Sequence, residues 1–364
     1  MKFGLFLPPY HPKGTPIRDA CDWDLDLIVA GDRVGLAEAW VGEHFTVAWE
    51  PVPSPDILLA LAIRETENIK LAPGAHLLAY HHPAELAMRI AYLDQLSGGR
   101  YMVGIGAGAY PSDAEMMGIT DMAVRREMVT ESLDIMRRLW TSTEPFTYTG
   151  KYWSAALPEY DPLVGGPHLR PFQKPHPPIG MAGFSASSST LRTAGEIGAF
   201  PLSLCYNAEY LAGHWDAFAE GAAKGGHPAD RGDWRIAAHV FVAETDKEAL
   251  AYAVDSPLAD VWLNYEVEVS RQWGALGMIG IDEAWSKEEI LDFMARERWL
   301  VGSPETVAEK VAQLHETTGG FGTMLTIPVG DQNDGGAWRR SVELMGTEVA
   351  PRLSALTGSV GAQK

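Results

Sequence analysis

The sequence predicts an α/β fold, a (β/α)8 TIM barrel with insertions after strand four and after strand seven. Three observations lead there. Short apolar segments of strand type alternate with helical stripes, the pattern of parallel strands joined by crossover helices. Eight such segments follow one another, the number that closes a barrel. The 364 residues, 46% hydrophobic and 21% charged, suit one barrel domain spanning 1–364.

Lys2 to Leu7 is the first strand, stopped by Pro8-Pro9. Trp23, Leu27, Ala30 and Val34 mark a helix. Ala39 to Gly42 is strand two, with Glu43-His44-Phe45 just past its end. Ser54-Pro55, a cap followed by an N1 proline, opens a helix carrying Leu58, Leu59 and Ala62. Ile69 to Ala72 is strand three, and Gly74-Ala75-His76 and His81-His82-Pro83 follow it. Leu86, Ile90 and Leu93 stripe a helix that stops at Ser97-Gly98-Gly99. Tyr101 to Ile105 is strand four and runs into Gly104, Gly106 and Gly108; Val129, Leu133, Met136 and Trp140 mark the next helix.

Pro145 to Pro178 interrupts the rhythm. Phe146 to Trp153 reads as a hairpin turning at Thr149-Gly150-Lys151, and a proline-rich loop follows. Strand five is Ile179 to Ala182, leading into Gly183-Phe184 and Ser185 to Ser189 at a helix start. Strand six is Ala199 to Cys205, strand seven Arg235 to Ala243. Ser256 to Glu283 reads as an irregular, aromatic-rich second insertion, between capping boxes at Thr245–Glu248 and Ser286–Glu289. Ser303-Pro304 starts a helix, Phe321 to Ile327 is strand eight, and Ala337 to Met345 is a closing helix.

The glycine segment after strand four admits two readings. Gly104, Gly106 and Ala109 satisfy the dinucleotide pattern G-x-G-x-x-[GA]. That pattern normally follows a first strand and opens a helix directly, whereas here it follows the fourth and meets Pro111. The segment fits better as the ligand-side lip of a barrel strand, bare backbone that a flat ring approaches.

Composition narrows the partners. With 29 basic and 48 acidic residues the formal net charge is −19, which repels nucleic acid and anionic lipid. Cys21 and Cys205 form no disulfide framework or metal spacing. The short apolar start breaks at Pro8-Pro9 and no stretch approaches a membrane span, so a cytoplasmic protein is expected.

Ligands of such barrels bind at the C-terminal ends of the strands. The residues there are apolar, aromatic and rich in glycine, which suits a planar cofactor and an apolar substrate. His44 is the leading catalytic candidate, because imidazole exchanges protons near neutral pH and this one follows strand two directly. Ser185 to Ser189 gather hydroxyls and free amides at a helix N-terminus, a phosphate site or a plain serine cap. Tyr10, His76, Tyr110 and Asp113 are candidate substrate-pocket residues. No HExxH, P-loop lysine, C-x-x-C or G-x-S-x-G occurs, and no metal site is expected.

MKFGLFLP, Trp40-Val-Gly-Glu-His-Phe45, Leu93-Asp-Gln-Leu-Ser-Gly-Gly-Arg-Tyr101, Gly104-Ile-Gly-Ala-Gly-Ala-Tyr110 and Val301-Gly-Ser-Pro-Glu305 together resemble the bacterial-luciferase-like flavin monooxygenases. Ala72-Pro-Gly-Ala-His-Leu-Leu78, His81-His82-Pro83, Gly183-Phe184-Ser185 and Glu348-Val-Ala-Pro351 are most similar to the diketocamphane monooxygenase branch. The resemblance implies a TIM barrel that binds FMN, a homodimer, and a separate reductase supplying FMNH2. It implies reaction with O2 to a C4a-peroxyflavin and oxygen insertion into an apolar ketone or terpenoid. It assigns the catalytic histidine to His44 and the flavin-contacting segment, often with a cis peptide, to Gly74 and Ala75. Gly106 and Ala107 match its fourth-strand segment, Ser185 and Ser188 its phosphate site, and Asp113 a nearby carboxylate. Light-emitting relatives carry cysteine and arginine at the positions of Gly106 and Ala107, and glutamate at Phe184. Three rivals are a deazaflavin (F420) dependent oxidoreductase of the same superfamily, a non-catalytic flavin-binding barrel and a zinc-dependent barrel hydrolase.

Overall fold

The computed structural model describes residues 1–163, 165, 169–333 and 335–360, with nothing said of the side chains of 355 and 357–360. Pro167 of the proline-rich loop lies outside the described residues.

The strands are β1 (Lys2–Leu7), β2 (Glu38–Val41), β3 (Lys70–Pro73), β4 (His76–Leu77), β5 (Val103–Gly106), β6 (Phe146–Thr149), β7 (Ser154–Leu157), β8 (Ile179–Gly183), β9 (Phe200–Leu204), β10 (Arg235–Ala238), β11 (Val240–Val242), β12 (Leu300–Gly302) and β13 (Thr323–Thr326). The main sheet runs β3-β2-β1-β13-β10-β9-β8-β5-β4, all parallel. β3 and β4 are two halves of one barrel position, interrupted at Gly74-Ala75, whose peptide bond is cis. A bridge from Leu71 to Tyr101 and the pairing of His76-Leu77 with Ile105-Gly106 tie both halves to the fourth position. Nine strands therefore fill the eight expected positions of a nearly closed barrel.

Helices Ile17–Arg33, Pro55–Glu65, Pro83–Ser97 and Met122–Thr141 cross back over the outside. Strands covered on both faces read as continuous apolar runs, and β2 is buried at all four residues. The interior is packed rather than open. The Arg235 guanidinium lies 4.0 Å from the Phe200 ring centroid and bonds Glu38 at 2.8 Å, and Trp40 meets the same Phe200 ring edge-on. This packing explains Gly104: a Cβ there would lie 2.2 Å from the Pro73 carbonyl oxygen. Strand contact requires that glycine, with no need for a ligand.

The insertions part company. The β6–β7 hairpin docks on the outer face of the 122–141 helix, where Glu131 accepts backbone N–H bonds from Lys151, Tyr152 and Trp153. The second insertion, read from sequence as irregular, is helical. Ser256 caps Pro257–Val261, a π-turn covers Trp262–Glu266, and Val267–Gln272 continues the same rod. The expected seventh strand breaks at His239. β10 stays in the barrel, while β11 leaves it to pair with β12, a strand too short for its pattern to be read.

Candidate active site

His44 stands at the mouth, just past β2, with its side chain 17% exposed. Its Nε2 lies 3.1 Å from Glu50 Oε2 and its Nδ1 3.6 Å from Asp113 Oδ2. Burial alone would lower its pKa. The charge of Glu50 and the bonds to Asp113 and Glu50 outweigh that and hold it up at about 10. His44 is thus an imidazolium at neutral pH. Tyr110 packs edge-on against its ring at 4.9 Å. Asp113 takes N–H bonds from Phe45 and Thr46 and the Thr46 hydroxyl, which fixes the loop that carries His44.

A second layer of tyrosines and carboxylates spans the mouth. Glu50 accepts the Tyr110 hydroxyl at 3.0 Å and that of Tyr265. Tyr10 donates to Glu266 and lies 3.2 Å from the Tyr206 hydroxyl. Burial pushes Glu266 up to about 7. Tyr265 and Glu266 sit on the π-turn of the second insertion, and π-turns recur at functional sites. That insertion covers the mouth: Tyr265 stacks on Trp49 and meets Tyr10, and Trp262 meets Tyr206 and His239. A side cavity of about 370 Å³ shares Tyr206 and Trp299 with this wall and also touches Cys205, Arg298 and Lys310.

Below the mouth lies a second network, buried at Glu43, Asp56 and His76 and reaching solvent at His81 and Arg89. His76 sits 3.1 Å from Asp56 and 3.6 Å from Glu43 and is 1% exposed. Burial would lower its pKa, but the two carboxylates raise it to about 9. Asp56 also takes the Tyr101 hydroxyl at 2.6 Å and pairs with Arg89 Nε at 2.7 Å. Glu43, His76 and His81 bring three donor atoms within 4.8 Å of one another, a cluster that could hold a metal ion. The hydrogen bonds argue for another use. Arg89 donates to His81 Nδ1 at 3.3 Å, which leaves the imidazole proton on Nε2, and Nε2 gives it to Glu43 at 2.5 Å. Two carboxylates then balance His76 and Arg89, with no lone pair of His81 left for a metal.

Between these networks the strand ends form a cradle. The cis Gly74-Ala75 unit faces Gly106 across the β4–β5 pair. A Cβ on Gly106 would make only ordinary contacts, at 3.6 Å from Ala75 and Leu77, so its bareness leaves free space that the fold does not fill. Gly108 adopts φ +80° and is glycine for conformational reasons. On the neighbouring strand, Gly183 makes room for Leu191 and the Ser188 hydroxyl, either of which a Cβ would strike at 2.5 Å. Ser188 is buried and caps the Ser189–Glu196 helix through Leu191 N–H, so its acceptor is already used. Ser185 is exposed, and its carbonyl is gripped by His214 Nε2–H at 2.9 Å. Trp234 donates to Ser203, and Ser203 lies 3.0 Å from His214 Nδ1, so a relay from the core fixes the serine loop.

Arg125 brings the missing charge. It is buried, yet donates only to the carbonyls of Ala107, Ile119 and Thr120 and to Met122 sulfur; no carboxylate pairs with it among the described residues. A buried cation without an anion, bonded to Ala107 and one strand from the serine loop, fits a phosphate. Cradle, exposed serine loop and Arg125 together fit the phosphate and ring of FMN.

The structure thus brings together His44, Tyr10, Tyr110, Phe184, Gly74, Ala75, Gly106, Ala107, Gly183, Ser185 and Ser188 at the strand ends. Two expectations change. His76 is not a pocket residue, because it is 1% exposed, against 17% for His44, with its nitrogens enclosed between buried carboxylates. Asp113 positions His44 and its loop and has little left for a substrate. Glu50, Arg125, His239, Tyr265 and Glu266 escape the sequence reading. For two of them a signal exists: Arg125 interrupts the buried stripe of Met128, Val129 and Ser132, and His239 interrupts an apolar strand.

Comparison with known proteins identifies the family. The chain is 36% identical over 372 residues to 3,6-diketocamphane 1,6-monooxygenase of Pseudomonas putida, covering 97% of this chain and 98% of that one. It is 32% identical to 2,5-diketocamphane 1,2-monooxygenase 1 of the same organism, over 97% and 99%. The solved oxygenating constituent of 3,6-diketocamphane monooxygenase from the CAM plasmid of P. putida, a type II Baeyer-Villiger monooxygenase in complex with FMN, superposes with a TM-score of 0.90. It is 38% identical, over 97% of this chain and 98% of that one. The model of the luciferase-like monooxygenase family matches residues 1–319, and the chain belongs to that family.

Proposed function

We propose that this chain binds FMNH2 at the barrel mouth and uses O2 to oxygenate an apolar cyclic ketone or terpenoid, by Baeyer-Villiger-type insertion. The observation that carries this reading is the cradle of Gly74-Ala75, Gly106, Arg125 and the serine loop at the same strand ends that carry a protonated His44. Reduced FMN supplies the electrons that activate O2. The balance is ketone, O2 and FMNH2 giving ester, FMN and water. Arg125, the loop amides and Ser185 hold the phosphate; Gly74, Ala75, Gly106 and Ala107 lie along the ring. His44 Nε2 carries the proton that meets negative charge developing on the substrate's carbonyl oxygen. Glu50 and Asp113 keep that proton in place, and Tyr265 and Trp262 exclude water.

The working unit is one domain of 1–364 acting as a cytoplasmic homodimer, fed by a separate flavin reductase. Ile57 and Leu61 on one outer helix, and Tyr92 and Leu96 on the helix packed beside it, are large apolar residues exposed at one-turn spacing, a face suited to a second copy. The test is a coupled assay with a flavin reductase, ¹⁸O2 and a panel of cyclic ketones. One ¹⁸O per lactone is expected. Consumption of FMNH2 with hydrogen peroxide as the sole oxygen product across the panel would sink the ketone reading.

A further inference from the structure

Three buried polar atoms in the wall of the mouth have no hydrogen-bond partner among the described residues: His239 Nε2, Trp262 Nε1 and Trp299 Nε1. They belong to one cluster of rings. His239 meets Trp262 at 5.5 Å and Trp299 at 6.3 Å, and the two indoles meet at 6.0 Å. Tyr10 and Tyr206 flank the same imidazole at 6.4 and 6.3 Å. Other buried polar atoms of the chain also lack a bond, but these three sit in one cluster of touching rings and so share one explanation.

Their hydrogen-bonding character is fixed. His239 Nδ1–H donates to the Ile327 carbonyl at 2.9 Å, so Nε2 holds a lone pair and can only accept. Burial keeps this imidazole neutral, its pKa depressed to about 3. An indole N–H can only donate. The set is therefore one acceptor and two donors. A ketone oxygen would serve the indoles and leave His239 unmatched. An ammonium would serve His239 and leave the indoles unmatched. A hydroxyl has one proton to give and two lone pairs to accept with, and it serves all three.

We propose that His239, Trp262 and Trp299 form a hydroxyl-binding subsite, and that the substrate is a cyclic ketone that also carries a hydroxyl group. The ketone half rests on the function proposed above; the hydroxyl half does not. Trp262 lies within the second insertion and Trp299 well beyond it, just before β12, while His239 follows β10 of the barrel. Seating of the insertion therefore completes the subsite, and the hydroxyl enters when Trp262 lifts.

Calorimetric titration of the FMN-loaded protein with cyclohexanol, cyclohexanone and methoxycyclohexane tests this, because only the alcohol both donates and accepts. Cyclohexanol is expected to bind about tenfold tighter than the ether. The preference should collapse in His239→Phe and in Trp262→Phe; the second variant leaves the His239–Ile327 bond intact and guards against a folding defect. Equal affinities in the wild type, as a site filled by water alone would give, overturn the proposal. So do undetectable binding of the alcohol and a preference that survives both substitutions. Failure of the ketone chemistry would instead show in the coupled oxygenation assay, with the alcohol preference intact.

Discussion

Glu43 and His44 are neighbours in sequence and belong to opposite worlds. Glu43 turns down into a network in which every charge has its counter-charge: His76 and Arg89 against Glu43 and Asp56. His44 turns up to the mouth, between Glu50 and Asp113, and remains partly exposed. Both networks use histidines between carboxylates, and both hold an imidazolium. The difference lies in the charged imidazole. His76 is 1% exposed at the centre of the lower network, whose rim of His81 and Arg89 reaches solvent, and that network holds β3, β4 and the 83–97 helix together. His44 is 17% exposed, so its proton can reach another molecule. A perturbed histidine pKa alone would not separate them.

The largest expected effect breaks the upper network. His44→Ala should lower oxygenated product formation by about 10²- to 10⁴-fold, with an unchanged circular dichroism spectrum. Wild-type turnover at saturating FMNH2 would remove His44 from the chemistry. Next, Arg125→Gln should weaken FMN binding about 10- to 100-fold in a fluorescence titration, with little change in the rate of product formation once FMN saturates. Glu43→Gln breaks the lower network instead. It should cost about 3 kcal/mol of stability and lower the Tm by several degrees, because it strips charge from a buried set.

A gentler comparison uses pH. Burial would raise the Glu43 pKa, but the bonds from His76 and His81 bring it to about 2, against 4.5 for a free carboxyl. Its stabilisation is full above pH 4.5 and is lost as pH falls toward 2. His76 sits at about 9 against 6.5, so its stabilisation is full below pH 6.5 and is lost as pH rises through 9. Thermal melts should therefore peak between pH 4.5 and 6.5, and Glu43→Gln should flatten the acid limb. The smallest effect is expected from Glu266→Gln, which should remove an ionisation near pH 7 from the profile of product formation. A profile that keeps it would assign that ionisation elsewhere.

The barrel was legible in the sequence because its strands are buried on both faces and its helices carry regular stripes. Lys2–Leu7 and Ile179–Gly183 stand within a residue of where their patterns place them. β4 and β12, of two and three residues, are too short to carry a pattern. The second insertion looked irregular because its aromatics face several partners, so no single stripe forms; the capping boxes at Thr245 and Ser286 on either side of it were legible. In the site, His44 and the cradle glycines were readable from their place after strands. Glu50 and Glu266 were not, since one lies in a loop and the other on a π-turn and only the folded chain brings them to His44 and Tyr10. Of the serine cluster's two readings, the helix cap is the one seen, at Ser188.

The division of labour between Glu43 and His44 is tested most directly by one yield: moles of ¹⁸O-labelled lactone per mole of FMNH2 consumed. It should be measured for wild type, His44→Ala and Glu43→Gln at one temperature below every Tm. The predicted result is a His44→Ala yield of about a hundredth of wild type or less, with FMNH2 still consumed and hydrogen peroxide released, while Glu43→Gln keeps most of the wild-type yield. Equal losses in the two variants, or a wild-type yield from His44→Ala, would contradict it.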